Sequence, residues 1–140
     1  MKKGFVIWAV FGLIFLLMVG CGKKNQVIRE SGTPLQFIIL DEDEIPEKLQ
    51  EKIEEEKKKP FQLGFSDGKD LYLVIGYGEQ ETGGYSIKVH AVEQVNNTIR
   101  VITELIPPKK GEAVVQVLSY PYIVLRTKDI QLPIEFETIP

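Results

Sequence analysis

Residues 61–77, Phe61-Gln62-Leu63-Gly64-Phe65-Ser66-Asp67-Gly68-Lys69-Asp70-Leu71-Tyr72-Leu73-Val74-Ile75-Gly76-Tyr77, decide the fold class. Two apolar runs of strand length, Phe61–Phe65 and Leu71–Tyr77, flank Ser66-Asp67-Gly68-Lys69. An Asp-Gly pair between such runs is a strong local hairpin signal. The same texture continues C-terminally. Tyr85–Val95 and Ile99–Ile106 flank Asn96-Asn97-Thr98, where Asn tolerates the left-handed conformation of a tight turn. Within the first of these runs Tyr85, Ile87, Val89 and Ala91 share one face, and Ser86, Lys88 and His90 the other. Val92 breaks the phase, which predicts a bulge or burial on both faces. Pro107-Pro108 ends that hairpin, and Lys109-Lys110-Gly111 makes an exposed loop. Ala113–Leu118 and Tyr122–Thr127 read as further strands. Ile130, Leu132, Ile134 and Phe136 alternate with Gln131, Pro133, Glu135 and Glu137 in a last strand, which Pro133 puts at a sheet edge.

N-terminal to the hairpin the period changes. After Asp41-Glu42-Asp43-Glu44, Pro46 opens a helical pattern that runs through Lys59. Acidic residues come early and Lys57-Lys58-Lys59 late, as the helix dipole favours. Ile45, Leu49 and Ile53 form one narrow apolar stripe, enough to lie on a sheet and too little for burial all round. Leu35–Leu40 is a short apolar run of strand length, and residues 21–34, with Ser31-Gly32-Thr33-Pro34, read as a flexible tether. The whole is α+β, mainly antiparallel β: a single domain over 35–140, with an N-terminal helix packed on a compact sheet or sandwich of six to seven short strands.

The first residues carry the location. Lys2 and Lys3 precede a nearly unbroken apolar run, Phe5 to Val19, and Leu17-Met18-Val19-Gly20-Cys21 closes it. A basic start, an apolar stretch and a small residue before the cut are the parts of an export signal. The run looks like a bacterial lipoprotein signal over 1–20, cleaved after Gly20, with Cys21 diacylated (a palmitate-type anchor) and placed at the outer, extracytoplasmic face of the cell membrane. Two acyl chains hold where one exchanges. A retained anchor competes, because Gly4 to Gly22 is uncharged. The apolar run is nevertheless short of the ~20 residues that span a bilayer.

Without Lys2 and Lys3 the 17 basic residues fall to 15 against 20 acidic, a net charge of −5. An acidic chain is a poor electrostatic partner for nucleic acid. With Cys21 as the only cysteine there is no internal disulfide. Nothing in the composition calls for a cofactor. His90 is the only histidine and falls mid-strand beside Lys88 on the polar face, as a solvated strand residue. Cys21, spent on lipid, leaves no Cys-His dyad, and a His/Cys zinc site lacks ligands. No Gly-x-Ser-x-Gly elbow presents a serine. Asp41-Glu42-Asp43-Glu44 lacks the spacing of a calcium loop and reads as a solvated lead-in to the helix. Gly76, Gly78, Gly83 and Gly84 miss the phosphate-binding pattern, with Glu81 where its third glycine belongs. Glu79 and Glu81, flanked by glycines, read as parts of a mobile loop. No catalytic residue and no metal ligand are expected.

Two loop clusters remain. Thr82-Gly83-Gly84-Tyr85-Ser86-Ile87 puts two glycines before a strand, where they permit a sharp turn and close backbone approach. Ser119-Tyr120-Pro121-Tyr122 puts proline between aromatics at a strand entry. With Gly76-x-Gly78 and the Pro107-Pro108 stop, these elements resemble the PrcB C-terminal-domain family over about Leu71 to Lys128. The resemblance implies a non-catalytic, extracytoplasmic domain that associates with, or stabilises, a secreted or surface protease. The candidate binding residues are Thr82, Gly83, Gly84, Tyr85, Tyr120, Pro121 and Tyr122. One reading has their tyrosines anchor another protein; a second has the glycines shape a bulge while the tyrosines cap the core. A third makes the glycines open a pocket for a small-molecule or cell-wall ligand. A cleft beside Tyr85 favours the ligand, and a flat exposed patch favours a protein.

Overall fold

The computed structural model describes residues 31–140. The signal reading of Met1–Gly20, the lipidation reading of Cys21 and the tether as far as Glu30 lie outside them. In chain order the elements are β1 (Thr33–Pro34), β2 (Phe37–Ile39), a 3-10 turn (Glu42–Glu44) and α1 (Glu47–Glu56). The remaining strands are β3 (Pro60–Ser66), β4 (Asp70–Tyr77), β5 (Ser86–Val95), β6 (Thr98–Ile106), β7 (Tyr122–Lys128) and β8 (Ile134–Ile139).

The Asp-Gly hairpin forms where the residues predict it. The Asp67 carboxylate accepts the N–H groups of Lys69 at 2.9 Å and Asp70 at 2.7 Å. Those two bonds hold its pKa below the usual aspartate value. β3 and β4 then pair antiparallel from Pro60↔Tyr77 to Ser66↔Leu71. The second hairpin turns at Asn96, whose φ is +54°, and joins β5 to β6.

The strands divide into two four-stranded sheets, ordered β1-β5-β6-β8 and β2-β7-β4-β3. They face each other across a core of Leu71, Leu73, Ile75, Ile123 and Leu125 from one sheet and Val92, Ile99 and Val101 from the other. The opposite face of the β4-containing sheet is covered by α1. Leu49 and Ile53, with Ile45 just before the helix, pack there on Tyr72, Val74 and Val124. Each such aliphatic side chain contributes about 1.5–3 kcal/mol on burial. β4 therefore has no polar face, and its continuous apolar run follows from being covered on both sides. Gly76 is where β3 and β4 need space: a Cβ there would lie 2.2 Å from the Phe61 ring.

Several features refine or correct the expectations. The phase break at Val92 is a bulge: the register shifts between Val89 and Ala91. Val89 and Val92 therefore both serve the core, while Ala91 no longer shares the face of Val89. The last strand begins at Ile134, after Pro133, and lies at a sheet edge as expected, but it pairs parallel with β6 from Ile99↔Ile134 to Glu104↔Ile139. Gln131, at φ +56°, interrupts the alternation, so Ile130 and Leu132 pack on the core from a loop. The folded unit reaches back into the predicted tether, with Thr33 and Pro34 opposite Gln94 and Glu93. Ala113–Leu118, expected as a strand, belongs to no sheet.

Candidate functional site

Register places two of the crossovers between the sheets, β4 to β5 and β6 to β7, at one end. Tyr77 ends β4 there and Ser86 opens β5 there; Ile106, opposite Ser86, ends β6, and Tyr122, opposite Gly76, opens β7. The connections 78–85 and 107–121 consequently run side by side. Gln80 and Ser119 exchange backbone hydrogen bonds at 2.8 and 3.0 Å, and Gly83 N–H donates to the Val115 carbonyl at 2.9 Å. Ser119 Oγ donates to the Thr82 carbonyl at 2.6 Å. Tyr77 N–H donates to the Pro121 carbonyl at 2.9 Å. Gly84 has φ +88°, and a Cβ there would lie 2.7 Å from Val114 Cγ1 and 3.1 Å from Pro108 Cβ. Glycine is needed at this position for both the backbone and the approach.

Of the residues singled out from sequence, Thr82, Gly83 and Gly84 thus dock on the second connection, whose end is Ser119-Tyr120-Pro121-Tyr122. The tyrosines diverge. Tyr120 turns toward the end of α1: its hydroxyl donates to Glu79 at 3.3 Å, and Lys57 Nζ stands 5.2 Å from its ring centroid. Lys57 is also paired with Glu54 at 2.7 Å, the hydrogen bond that chiefly raises its pKa. Tyr122 packs half-buried against the helix-side core. Burial, then the charges of Glu42 and Glu54, raises its phenol pKa. Tyr85 opens the run into β5, in the other sheet, and is half-buried.

The residues that composition did not single out are Val115, Val117 and Leu118, exposed by 68%, 62% and 51%. Their signal was present in the lack of alternation. Val114-Val115 and Val117-Leu118 put apolar side chains on successive positions, a pattern that fits no half-buried strand.

The other chemical candidates have local tasks. His90, the bulge residue, is exposed and bonds Glu104 through Nε2 at 2.6 Å. Asp41, Asp43 and Glu44 bring their carboxylates within 4.8 Å of one another, all exposed. Glu44 there accepts the Asp41 N–H at 3.3 Å, and the Gln50 amide donates to the carbonyls of Glu42 and Ile45, tying the turn to α1. Two open grooves, of about 590 and 550 Å³, lie at Leu35–Ile38 with Arg126 and at Phe61 with Tyr77. Neither is lined by Tyr85, Tyr120 or Tyr122.

Residues 71–128 match the PrcB C-terminal family. The matched segment begins at Leu71 in β4 and ends at Lys128, the last residue of β7. It encloses both crossovers and the hairpin between them, and leaves out α1, β3 and β8. An uncharacterized protein of Methanocaldococcus jannaschii is 37% identical over 70 residues, covering 50% of this chain. The chain spans about two fifths of that relative's length, 41%. No solved structure matches the chain.

Proposed function

We propose that this protein is a lipid-anchored, non-catalytic binding module at the extracytoplasmic face of a bacterial membrane, where it associates with a secreted or surface protease. The observation that carries the reading is the paired crossover platform, with Val115, Val117 and Leu118 exposed beside the hydrogen-bonded Thr82–Gly84 and Ser119 segments. Exposed apolar side chains on a hydrogen-bonded frame suit a protein partner. The small-molecule or cell-wall alternative would use a cleft beside Tyr85, and the grooves at Leu35–Ile38 and at Phe61 with Tyr77 are not lined by that residue. The PrcB C-terminal match supports a place beside a protease, because that family is related to a protease-complex subunit. The Lys2-Lys3 start, the apolar run and Gly20-Cys21 support the anchor.

The chain enters the fold at the end remote from the platform. Thr33 pairs with Gln94 near the β5–β6 turn, whereas the platform flanks Ser86 at the start of β5. A strand of ten residues spans about 30 Å, so the platform and the point where the chain enters the fold lie at opposite ends of β5. Photocrosslinkers at Val117 and Tyr120 are expected to capture a protease, while one at Asn96, at the far end, captures none. Equal capture from Asn96 would sink the platform. Globomycin is expected to accumulate a larger precursor, and an unchanged band would sink the anchor.

A further inference from the structure

Ala113-Val114-Val115-Gln116-Val117-Leu118 has the β-branched, uncharged composition of a strand. It nevertheless ladders with no strand among the described residues. One backbone hydrogen bond, Gly83 N–H to the Val115 carbonyl, joins it to the rest of the described residues. The N–H groups of Ala113 through Leu118 make none there. An exposed run of unpaired donors and acceptors is a template for another strand. It is fixed within, by Gly83 at Val115, and just past its end, by Gln80 at Ser119, with a bend at Val117. Pre-ordering of this kind lowers the entropic cost of pairing.

The charge around the segment selects among occupants. Lys57, Lys58 and Lys59 end the helix on the Tyr120 side, where Glu79 N–H bonds the Lys58 carbonyl at 3.2 Å. Lys109 and Lys110 precede the segment on the Pro108 side. Lys58, Lys59, Lys109 and Lys110 are exposed and form no salt bridge among the described residues. Glu79, Glu81 and Glu112 are also exposed beside the segment, but the four lysines outnumber them, so this uncharged, β-prone strip complements an apolar stretch with acidic flanks. Two copies of this chain would oppose lysine to lysine around the same strip.

We propose that Val114–Leu118 binds by strand addition an extended segment of another protein, apolar at alternate positions and flanked by Asp or Glu. This rests on the protein-binding reading and specifies its chemistry. The mode is β-augmentation: main-chain bonds give affinity, and alternate side chains with charged flanks give selectivity.

The test is selection of random twelve-residue displayed peptides on the full chain in detergent, followed by titration of the enriched sequences. Enrichment of alternating apolar residues with acidic flanks is expected, with affinity falling as salt rises. Gln116→Pro removes a strand donor and is expected to weaken binding at least tenfold, while Gln116→Ala, which keeps the N–H, stays within twofold. Thermal melts of both variants check that the fold is intact. Bound peptide is expected to protect amides within 114–118 from hydrogen exchange. Equal losses from both Gln116 variants, enrichment of basic or non-alternating peptides, or no enrichment would overturn strand addition. Concentration-dependent dimerisation that Gln116→Pro abolishes would overturn it in favour of a second copy. If crosslinking at Tyr120 still captures a protease in any of these cases, the binding module stands and only its strand mode falls.

Discussion

Leu71–Ile75 and Ala113–Leu118 are both short, apolar and uncharged, yet the first lies between two covered faces and the second in no sheet. Their neighbours account for the difference. Leu71 follows Asp67-Gly68, a turn that returns β3 alongside β4 in register, and β7 closes the other flank from Asp70↔Lys128 to Gly76↔Tyr122. Ala113 follows Pro107-Pro108 and Lys109-Lys110-Gly111, which carry the chain out of sheet register without offering a partner. Strand propensity supplies a willingness to pair, and topology decides whether a partner is present.

The largest expected effect breaks the buried member. Leu73 is fully buried in the inter-sheet core, so Leu73→Ala is expected to cost about 2–5 kcal/mol in denaturant unfolding. A loss under about 1 kcal/mol, the range of surface substitutions, would mean that β4 is not the shared core strand. Gly76→Ala tests the same strand by addition. Its methyl would meet the Phe61 ring at 2.2 Å, and overpacking of this kind costs about 1–3 kcal/mol. Unchanged stability would show that Phe61 has room to move aside.

Gly84→Ala is the matching test for the unpaired segment. Residue 84 sits at φ +88° beneath Val114, and a non-glycine held in such a conformation costs about 1 kcal/mol or more. Stability is expected to fall by that amount, with faster amide exchange at Gly83, Gln80 and Ser119. Exchange confined to β4 would contradict the docking of the two crossovers on each other.

A smaller effect comes from the turn that gives β4 its partner. Asp67 is held below its ordinary 3.8 by hydrogen bonds from Asp70 and Lys69. Its contribution is present above pH 3.8 and is lost as pH falls through the lowered value. Asp129, lowered chiefly by the Ser66 hydroxyl and then by Gln131 N–H, titrates in the same sense. Melting temperature is expected to drop on acidification, with part of that slope absent in Asp67→Ala. An identical slope in the variant would assign acid loss to other carboxylates.

What was legible in the sequence was local. The Asp-Gly and Asn-Asn turns, the Ile45/Leu49/Ile53 stripe and the phase break at Val92 each depend on residues a few positions apart, and each is found. What was not legible depends on who pairs with whom. The parallel β6–β8 pairing needs a crossover through β7 in the opposite sheet, and residue alternation carries no strand direction. Thr33-Pro34 resembles a linker because two residues have no period, yet Gln94 and Glu93 offer it a free edge. At the candidate site, the glycines and the Ser119 motif marked the paired crossovers, while chain direction sent Tyr85 toward β5 and Tyr120 toward the end of α1. Ala113–Leu118 was the costliest misreading: its β composition was correctly seen, and the partner that composition implies is absent from the described fold.

The smallest expected effect on stability is therefore the most telling for function. Val117 is 62% exposed, so Val117→Ser is expected to shift stability by no more than about 0.5 kcal/mol, as surface changes do. The same substitution removes a β-branched apolar side chain from a segment of strand composition whose N–H groups are unpaired among the described residues. If that segment is kept for a partner, crosslinked capture at Tyr120 is expected to fall severalfold in Val117→Ser while the melt stays put. If Val117 merely tolerates solvent, capture and melt both remain as in the parent chain, and the resemblance between Ala113–Leu118 and β4 is one of composition alone.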